Sequence, residues 1–234
     1  MAETTTKTAI VTGAGSGIGL ATVRMLGELG YRVMLVGRDQ AKLERAAEGL
    51  IEPVVFPADL SQSIEAQRMI DEGNRLLGRI DVLVNNAGWT PLKPIGSHLA
   101  EDIEQVFRIN AIGPCVAIAR LFPILVKQGG GCIVNVSSMA TVDPFAGLYA
   151  YAAAKASLNL MVKSCVNEGK KRGVRAFAVA PGAVETSLLR SMFPETAVPK
   201  SRALAPEIVA TVIVDCIEGK RESELGGTIL VPSP

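Results

Sequence analysis

The stretch Thr8–Gly19 reads "TAIVTGAGSGIG", in which a short strand-like run passes directly into a glycine loop. The loop carries Gly13, Gly17 and Gly19 in the spacing GxxxGxG, and a helical pattern follows over Ile18–Leu29. Glycines let the backbone turn tightly and approach an anion, and a helix N-terminus offers free N–H groups and partial positive charge to a pyrophosphate. A strand, a glycine loop and a helix in this order therefore indicate a dinucleotide-binding fold.

The rest of the chain repeats the alternation of strand and helix. Continuously apolar runs, typical of parallel strands buried on both faces, predict seven strands near Thr8–Thr12, Arg32–Val36, Val54–Phe56, Val82–Asn85, Cys132–Val136, Arg175–Ala180 and Thr228–Val231. Helical patterns lie between them, near Ile18–Leu29, Asp39–Glu48, Ser61–Leu77, Leu99–Lys127, Tyr151–Lys171 and Pro206–Glu218. The pattern predicts a Rossmann-type doubly wound parallel sheet in a three-layer α/β/α arrangement. With no linker, repeat or shift in composition, we expect a single domain over residues 1–234.

Two segments break the regular pattern. We expect the helix from Leu99 to bend at Gly113-Pro114, because Pro114 cannot donate a backbone hydrogen bond. Thr186–Leu204 is the one long irregular stretch, and its two prolines and apolar residues predict a mobile flap over a substrate, at about residues 186–204.

Composition and charge exclude several classes of protein. Hydrophobic residues make up 48% of the 234 residues, charged residues 20%, and the net charge is +1, as in a globular protein that does not bind nucleic acid. The N-terminus "MAETTTKTAI" lacks an apolar signal region, and no apolar run reaches the ~18 residues of a membrane span. The cysteines form no CxxC pair and lie in apolar surroundings, so we expect buried, reduced thiols and a cytoplasmic protein; they are Cys115, Cys132, Cys165 and Cys216.

Metal chemistry and a histidine-based triad find little support. The chain has one histidine, His98, in "GSHLAED", where a helix start is the simpler interpretation. No group of Cys, His, Asp and Glu has metal-ligand spacing, so we expect no metal site.

Four motifs occur in order along the chain. They are the TGxxxGxG loop at Thr12–Gly19, "NNAG" at Asn85–Gly88 after the fourth strand, "YAAAK" at Tyr151–Lys155, and "PG" at Pro181-Gly182 after the sixth strand. In these motifs the chain resembles the short-chain dehydrogenase/reductase family from about Thr8 to Thr186. The resemblance implies an oxidoreductase that transfers a hydride between NAD(P) and a carbonyl or alcohol substrate. The flap and the ending "GGTILVPSP" depart from the family, which leaves substrate and subunit contacts open.

The end of the second strand bears on the choice of cofactor. An acidic residue there binds the ribose 2′-OH and favours NAD, whereas a nearby arginine accommodates the 2′-phosphate of NADP. This chain has Gly37 where relatives that use NAD carry Asp, and Arg38 follows. Asp39 fits an N-cap of the next helix, and Ser16 stands where many relatives that use NADP have a basic residue. We expect NADP, with NAD as the alternative.

The resemblance also implies the remaining cofactor contacts. Asp59, which equally suits a helix N-terminus, would accept from the adenine amino group beside Leu60, and Val184 and Thr186 would contact the nicotinamide carboxamide. The full predicted set is Gly13, Ser16, Gly17, Ile18, Gly19, Arg38, Asp59, Leu60, Asn86, Ala87, Gly88, Tyr151, Lys155, Pro181, Gly182, Val184 and Thr186.

Helical phase selects one of two neighbouring tyrosines. At ~100° per residue, Tyr151 and Lys155 lie one turn apart and about 40° around the axis, whereas Tyr149 is about 120° out of phase with Lys155. A phenol has a pKa of ~10, which a nearby ammonium and an oxidised nicotinamide ring would lower. We therefore expect Tyr151 to be the general acid in reduction and the general base in oxidation, and Lys155 to bind the nicotinamide ribose as well.

Two further catalytic residues follow from the resemblance. Ser138, thirteen residues before Tyr151, would hold the substrate oxygen, and strand alternation should turn Ser137 the other way. Asn110 in "RINAIGP" would link Lys155 to solvent through a kinked backbone and a water; an ordinary kink residue is the alternative. The expected pocket wall is apolar and suggests a mostly apolar substrate; it comprises Trp89, Leu92, Met139, Val142, Leu188, Met192 and Phe193.

The predicted function is thus an NADP-dependent oxidoreductase acting on a small carbonyl or alcohol substrate. A dehydrogenase that uses NAD and a catalytically idle dinucleotide-binding scaffold are the alternatives. The resemblance implies a homodimer or homotetramer, packed through the helices that contain Asn110 and Tyr151.

Overall fold

A computed structural model describes residues 6–234, which form one parallel sheet of seven strands. The strands are β1 (Thr8–Thr12), β2 (Arg32–Gly37), β3 (Val54–Pro57), β4 (Val82–Asn85), β5 (Gly131–Val136), β6 (Val174–Pro181) and β7 (Thr228–Val231). Their spatial order is β3-β2-β1-β4-β5-β6-β7, which confirms the doubly wound sheet. The direction of winding reverses between β1 and β4, and a crevice opens beyond the carboxyl ends of strands at such a switch point.

Helices cover both faces of the sheet. They are α1 (Gly17–Glu28), α2 (Gln40–Ala47), α3 (Ser63–Leu77), α4 (Ala100–Phe107), α5 (Gly113–Gln128), α6 (Tyr149–Gly169), α7 (Ser187–Met192) and α8 (Pro206–Ile217). Residues of α1, α2 and α8 share one buried apolar cluster with the sheet, and residues of α3, α5 and α6 share another. The three-layer arrangement is therefore as predicted, while the single-domain assignment of residues 1–234 stays a prediction.

The helical stretch predicted from Leu99 to Lys127 is observed as a run over Ala100–Gln128 that is irregular near its middle. It divides into α4, a π-helical turn at Arg108–Ile112, and α5. The irregular turn comes just before Gly113-Pro114, so Pro114 lies in the first turn of α5, where its missing N–H costs little. The irregularity expected at that dipeptide is thus the π-helical turn just before it, which contains Asn110.

Two other predicted boundaries shift. The helix expected from Tyr151 begins at Tyr149 and ends in a 3₁₀ turn at Lys170–Arg172, so both tyrosines belong to α6. The segment 186–204 is not irregular throughout, because it contains α7 and a 3₁₀ turn at Lys200–Arg202.

Two expectations from composition also need correction. Despite the prediction that no segment is long and apolar enough, the helical run Ala100–Gln128 meets the length and composition of a membrane span, although half of the apolar window lies buried inside the fold. A core helix meets the same test, and α5 packs against α3 and the sheet. Among the cysteines, Cys132, Cys165 and Cys216 are buried, but Cys115 on α5 is exposed.

Candidate active site

A cleft of about 620 Å³ lies at the carboxyl edge of the sheet, around the switch point. All but two of the predicted cofactor-binding and catalytic residues line it. The exceptions are Gly19, which is buried in the first turn of α1, and Asn110, which is fully buried behind the cleft wall. The cleft thus brings the glycine loop, Arg38, Asp59 and the Tyr151–Lys155 pair into one continuous space.

The glycine loop packs too closely to admit side chains at its key positions. Gly17 opens α1 with φ at 52°, and a Cβ there would lie 2.8 Å from Cγ2 of Thr186. A Cβ on Gly19 would lie 2.2 Å from the carbonyl oxygen of Gly13, so Gly19 permits the close approach of α1 to the loop. Gly19 therefore shapes the loop without facing the cleft.

The N-terminus of α1 is suited to an anion. Ser16 occupies the N-cap position with extended backbone, but within residues 6–234 its side chain caps no N–H of α1. The first turn of α1 also carries no acidic residue. Free N–H groups and an uncompensated helix dipole at the mouth of the cleft fit a pyrophosphate group.

Thr12 joins the glycine loop to the "NNAG" segment, a role that the sequence reasoning missed. Its Oγ1 accepts from the backbone N–H groups of Asn86 and Ala87, at 2.9 and 3.0 Å. The Asn86 side chain donates in return to the Thr12 carbonyl, at 2.8 Å. These bonds hold the ends of β1 and β4 side by side, which fixes the floor of the cleft.

The far end of the cleft contains two cations and two carboxylates, and each carboxylate accepts a backbone hydrogen bond. Arg38 is exposed and lines the cleft after Gly37, and Lys42 lines it next to Gly15. Asp39 caps α2 as predicted: its Oδ1 accepts from the Lys42 N–H at 3.1 Å, and this bond lowers the pKa of the carboxyl. Asp59 caps a turn through the Ser61 N–H at 3.0 Å, which agrees with its helix-start interpretation and leaves it on the cleft wall.

Tyr151 and Lys155 lie on the same face of α6, as their phase predicted. The Lys155 Nζ lies 5.7 Å from the centre of the Tyr151 ring and donates to the Val136 carbonyl at 2.7 Å. Lys155 is buried, and burial lowers the pKa of its amine to about 7. A buried ammonium without a carboxylate partner is costly, and this cost makes the amine easy to deprotonate.

The pKa of Tyr151 moves opposite to the expectation. Burial raises it to about 12, and a hydrogen bond with the Ser138 side chain partly opposes that rise. Lys155 does not lower it here. The expected decrease relied partly on the positive charge of an oxidised nicotinamide ring, which the protein alone does not supply.

Ser137 and Ser138 both border the cleft, but their hydroxyl groups have different surroundings. Ser137 is buried and its hydroxyl donates to the Lys155 carbonyl at 3.2 Å, whereas Ser138 is half-buried. The Ser138 Oγ also accepts from the Ala140 N–H at 3.1 Å, which fixes it at the start of a short 3₁₀ turn.

Asn110 sits in the π-helical turn and crosslinks it to the segment after β4. Its Nδ2 donates to the carbonyls of Trp89 and Val106, at 2.7 and 2.8 Å. A Cβ on Gly88 would lie 3.0 Å from the Asn110 Oδ1 and 3.4 Å from the Lys155 Nζ, so Gly88 separates the two side chains. The buried amide thus lies directly behind the Lys155 amine.

The motif resemblance is matched by comparison with known proteins. The family model of short chain dehydrogenases matches residues 7–197. The chain belongs to the short chain dehydrogenase family. Membership confirms the predicted family and reaction class, that of an NAD(P)-dependent oxidoreductase.

Relatives of this short chain dehydrogenase cover most of its length. An uncharacterized oxidoreductase of Staphylococcus epidermidis is 31% identical over 189 residues, 80% of this chain and 82% of that protein. Another, from Staphylococcus aureus, is 27% identical over 216 residues, 92% of each. A solved 3-ketoacyl-(acyl-carrier-protein) reductase from Brucella melitensis, complexed with NADH, is 26% identical with a TM-score of 0.89 and covers 96% of each chain. Levodione reductase, 24% identical, has the same fold, with a TM-score of 0.89 over 97% of this chain and 96% of that one.

The two ends of the flap of this short chain dehydrogenase are joined by backbone contacts. Leu204 forms a parallel bridge with Val184, and its N–H donates to the Ala183 carbonyl at 2.8 Å. Arg190 in the flap pairs with Glu185, which lies just before the flap, and donates to the Val198 carbonyl at 2.7 Å. One arginine therefore holds α7 against the loop that follows it.

The predicted pocket wall is correct in part. Trp89, Met139, Leu188, Met192 and Phe193 line the cleft, but Leu92 and Val142 do not. Tyr149, the tyrosine out of phase with Lys155, packs against the apolar cluster between α4 and α6. The cleft is also lined by three residues that were not predicted: Phe145, Leu148 and Val198. Their placement depends on how two loops fold back over the cleft.

Proposed function

We propose that this short chain dehydrogenase is an NADP-dependent carbonyl reductase, or an alcohol dehydrogenase in the reverse direction, with Tyr151 as its general acid and base. The observation that carries the proposal is the placement of Ser138, Tyr151 and Lys155 on one wall of the cleft that also contains the glycine loop. These groups together can bind a carbonyl oxygen and deliver a proton to it.

The residues of the cleft suit a dinucleotide, as the uncapped N-terminus of α1 and the side-chain-free loop indicate. The bound nicotinamide supplies or accepts the hydride. Ser138 donates a hydrogen bond to the substrate oxygen and orients it toward the phenol. Tyr151 gives its proton to that oxygen during reduction and takes it back during oxidation. The high pKa of Tyr151 in the free protein keeps the phenol protonated, which is the form that reduction requires.

Lys155 and Asn110 have supporting roles in this proposal. The Lys155 amine, with a pKa of about 7, can exchange a proton near neutral pH and bind the nicotinamide ribose. Asn110 is the positioning residue behind it, since its amide fixes the π-helical turn and the Trp89 backbone beside Gly88. A water bound at this turn would complete a proton path from Lys155 to solvent.

The preference for NADP rests on the charges at the end of β2. With Gly37 in place of an acid, nothing at that position repels a 2′-phosphate, and Arg38 and Lys42 both reach the cleft. The negative charge of Asp39 is directed at the α2 backbone and lies 3.6 Å from the Lys42 ammonium. Two cations and one engaged carboxylate at the end of β2 favour a phosphate over a bare ribose.

Parallel titrations with NADPH and NADH test this preference. We expect NADPH to bind more tightly, and Arg38→Ala to weaken NADPH binding by about 10- to 100-fold while changing NADH binding little. Arg45→Ala, an exposed arginine of α2 away from the cleft, is the matched control. The 3-ketoacyl-(acyl-carrier-protein) reductase was solved with NADH, so the alternative is concrete: tighter binding of NADH by the wild-type protein refutes the role of Arg38.

Turnover on a panel of ketones and aldehydes tests the reaction itself. A protein that binds NADPH but oxidises it with no carbonyl would instead be the idle scaffold.

We further propose that the protein is a homodimer or homotetramer in the cytoplasm. Exposed apolar side chains on the helices that contain the site, such as Leu160 on α6, support this assembly. Light scattering of the purified protein would measure the number of subunits.

A further inference from the structure

Three large apolar side chains on the two loops beside the cleft are exposed, and two of them, Leu92 and Val142, belong to the predicted pocket wall but do not line the cleft. Phe145 lines the cleft, yet 67% of it is exposed. Val142, three residues earlier in the same loop, is 60% exposed, and Leu92 in the neighbouring loop is 38% exposed. We call Leu92, Val142 and Phe145 the apolar rim. Clustered exposed apolar groups beside a binding cleft mark a contact surface more often than isolated ones do.

The two loops that carry the apolar rim are fastened together. The Lys93 N–H donates to the Gly147 carbonyl at 3.2 Å, and a Cβ on Gly147 would lie 2.8 Å from the Leu92 Cδ1. Leu92 therefore packs directly against the backbone of the loop that carries Phe145.

The position of Leu92 is further fixed from below. The His98 Nε2 lies 3.1 Å from the Lys93 carbonyl, and the His98 ring meets the Tyr149 ring edge-on, with 5.0 Å between centroids. The Lys93 ammonium binds Asp102 at 2.5 Å, and Asp102 also accepts from the Leu99 N–H that starts α4. The loop that carries Leu92 is therefore held in place by contacts within the protein itself.

The charges of the two loops do not favour an anionic occupant of the rim. Lys93 is the only Lys or Arg in residues 89–98 and 139–147, and Asp102 pairs with it. Asp143, between Val142 and Phe145, adds a negative charge. An acidic carrier protein or the phosphates of coenzyme A would find no free lysine or arginine on these two loops, whereas an uncharged hydrocarbon gains by leaving water.

We propose that the apolar rim is a second substrate subsite, which binds the hydrocarbon tail of a long or multi-ring uncharged ketone whose carbonyl meets Tyr151. The proposal rests on the carbonyl reductase function above and names its substrate class. Phe145 joins the two parts, because it belongs both to the cleft wall that contains Met139 and to the exposed rim.

Unbranched methyl ketones of increasing length, from butanone to dodecanone, test the subsite with NADPH as reductant. Each methylene that leaves water raises kcat/KM by up to about fourfold, so we expect dodecanone to be much the better substrate. Phe145→Ala should lower the ratio of kcat/KM for dodecanone to that for butanone by about tenfold, and Phe145→Leu should keep most of it. The matched control is Ile64→Ala, since Ile64 on α3 is 66% exposed and lies outside the cleft; its ratio should equal that of the wild-type protein.

A binding measurement separates this inference from the proposed function. Trp89 is the only tryptophan of the chain and lines the cleft, so its fluorescence reports dodecanone binding without turnover. Binding that Phe145→Ala weakens, with no ketone reduced, would refute the reductase and support the subsite. Equal use of butanone and dodecanone would overturn the subsite and leave the reductase standing. The subsite would also be overturned if the protein preferred 3-ketoacyl thioesters of coenzyme A or of an acidic carrier protein, and if Phe145→Ala left that preference unchanged.

Discussion

Replacing Lys155 with methionine should make the cofactor-free protein more stable, because the amine is buried at a cost in free energy. An exposed lysine has a pKa of 10.5, and the native Lys155 has about 7. This difference corresponds to about 4 to 5 kcal/mol for burying the charged form. Methionine has a similar length and no charge, but it leaves the Val136 carbonyl without the 2.7 Å bond, a loss of about 1 to 3 kcal/mol. Lys155→Met should therefore gain about 2 kcal/mol at pH 6.

The sign of the pH dependence follows from the lowered pKa. Below pH 7 the amine is charged in both states, and the native state bears the full cost of burial. Between about pH 7 and 10.5 the native amine is neutral while the unfolded one still holds its proton, so the wild-type protein gains stability as the pH rises. From pH 6 to pH 9 this gain is about 2 to 3 kcal/mol, and the advantage of Lys155→Met should nearly disappear.

Urea and thermal unfolding of both proteins, without cofactor, at pH 6 and pH 9 measure this effect. Every other titrating group contributes equally to both proteins and cancels in the difference between their free energies of unfolding. Tyr151, with a pKa of about 12, stays protonated at both pH values. At pH 6 the variant should melt about 4 to 8 °C higher, since 1 kcal/mol shifts the midpoint by ~2 to 4 °C at this chain length. A stability difference that is the same at both pH values would show that burial does not lower the pKa of Lys155 in this way.

Three further predictions concern the site and its frame. Tyr151→Phe should lower kcat by about 10²- to 10⁴-fold while NADPH still binds, and Tyr149→Phe, out of phase on the same helix, should keep its activity; equal losses would refute the assignment of the general acid. Gly19→Ala places a methyl group against a carbonyl oxygen and should cost about 1 to 3 kcal/mol or more in urea unfolding, whereas Gly96→Ala, with open space around it, should stay within about 0.5 kcal/mol; similar values for both would contradict the packing argument. Arg190→Met should open the flap, which limited proteolysis would detect as faster cleavage after α7, together with a raised KM; unchanged cleavage would show that the arginine does not hold the flap.

Local patterns predicted much of the fold and the site because they depend on neighbours in sequence. Strand β6 was expected over Arg175–Ala180 and spans Val174–Pro181, one residue longer at each end. Pro181 can belong to the strand because a proline at its carboxyl end loses little by having no N–H. The shared face of Tyr151 and Lys155 follows from helical phase alone. Strand alternation also predicted that Ser137 turns away from Ser138; the Ser137 hydroxyl bonds to the Lys155 carbonyl, but both residues border the cleft.

Features that depend on distant contacts could not be predicted in this way. Thr12 bonds to residues 74 and 75 positions away, so nothing in its own surroundings reveals its role. The π-helical turn at Asn110 depends on the backbone of the segment after β4, and the positions of Leu92 and Phe145 depend on how their loops meet. The rise in the pKa of Tyr151 reflects burial, which the spacing YxxxK does not contain.

The alanine-rich start of α6 links a local sequence pattern to the distant contacts of the site. Ala150 and Ala154 are buried in one cluster with Val106 and Ala111, so their small side chains let α6 approach α4 and the π-helical turn. That approach brings Lys155 to within reach of Gly88 and places the Asn110 amide behind it. Larger residues at the two alanines would hold the helices apart and expose the amine to water. The low pKa of Lys155 therefore depends on the alanines of its own helix as much as on the lysine itself.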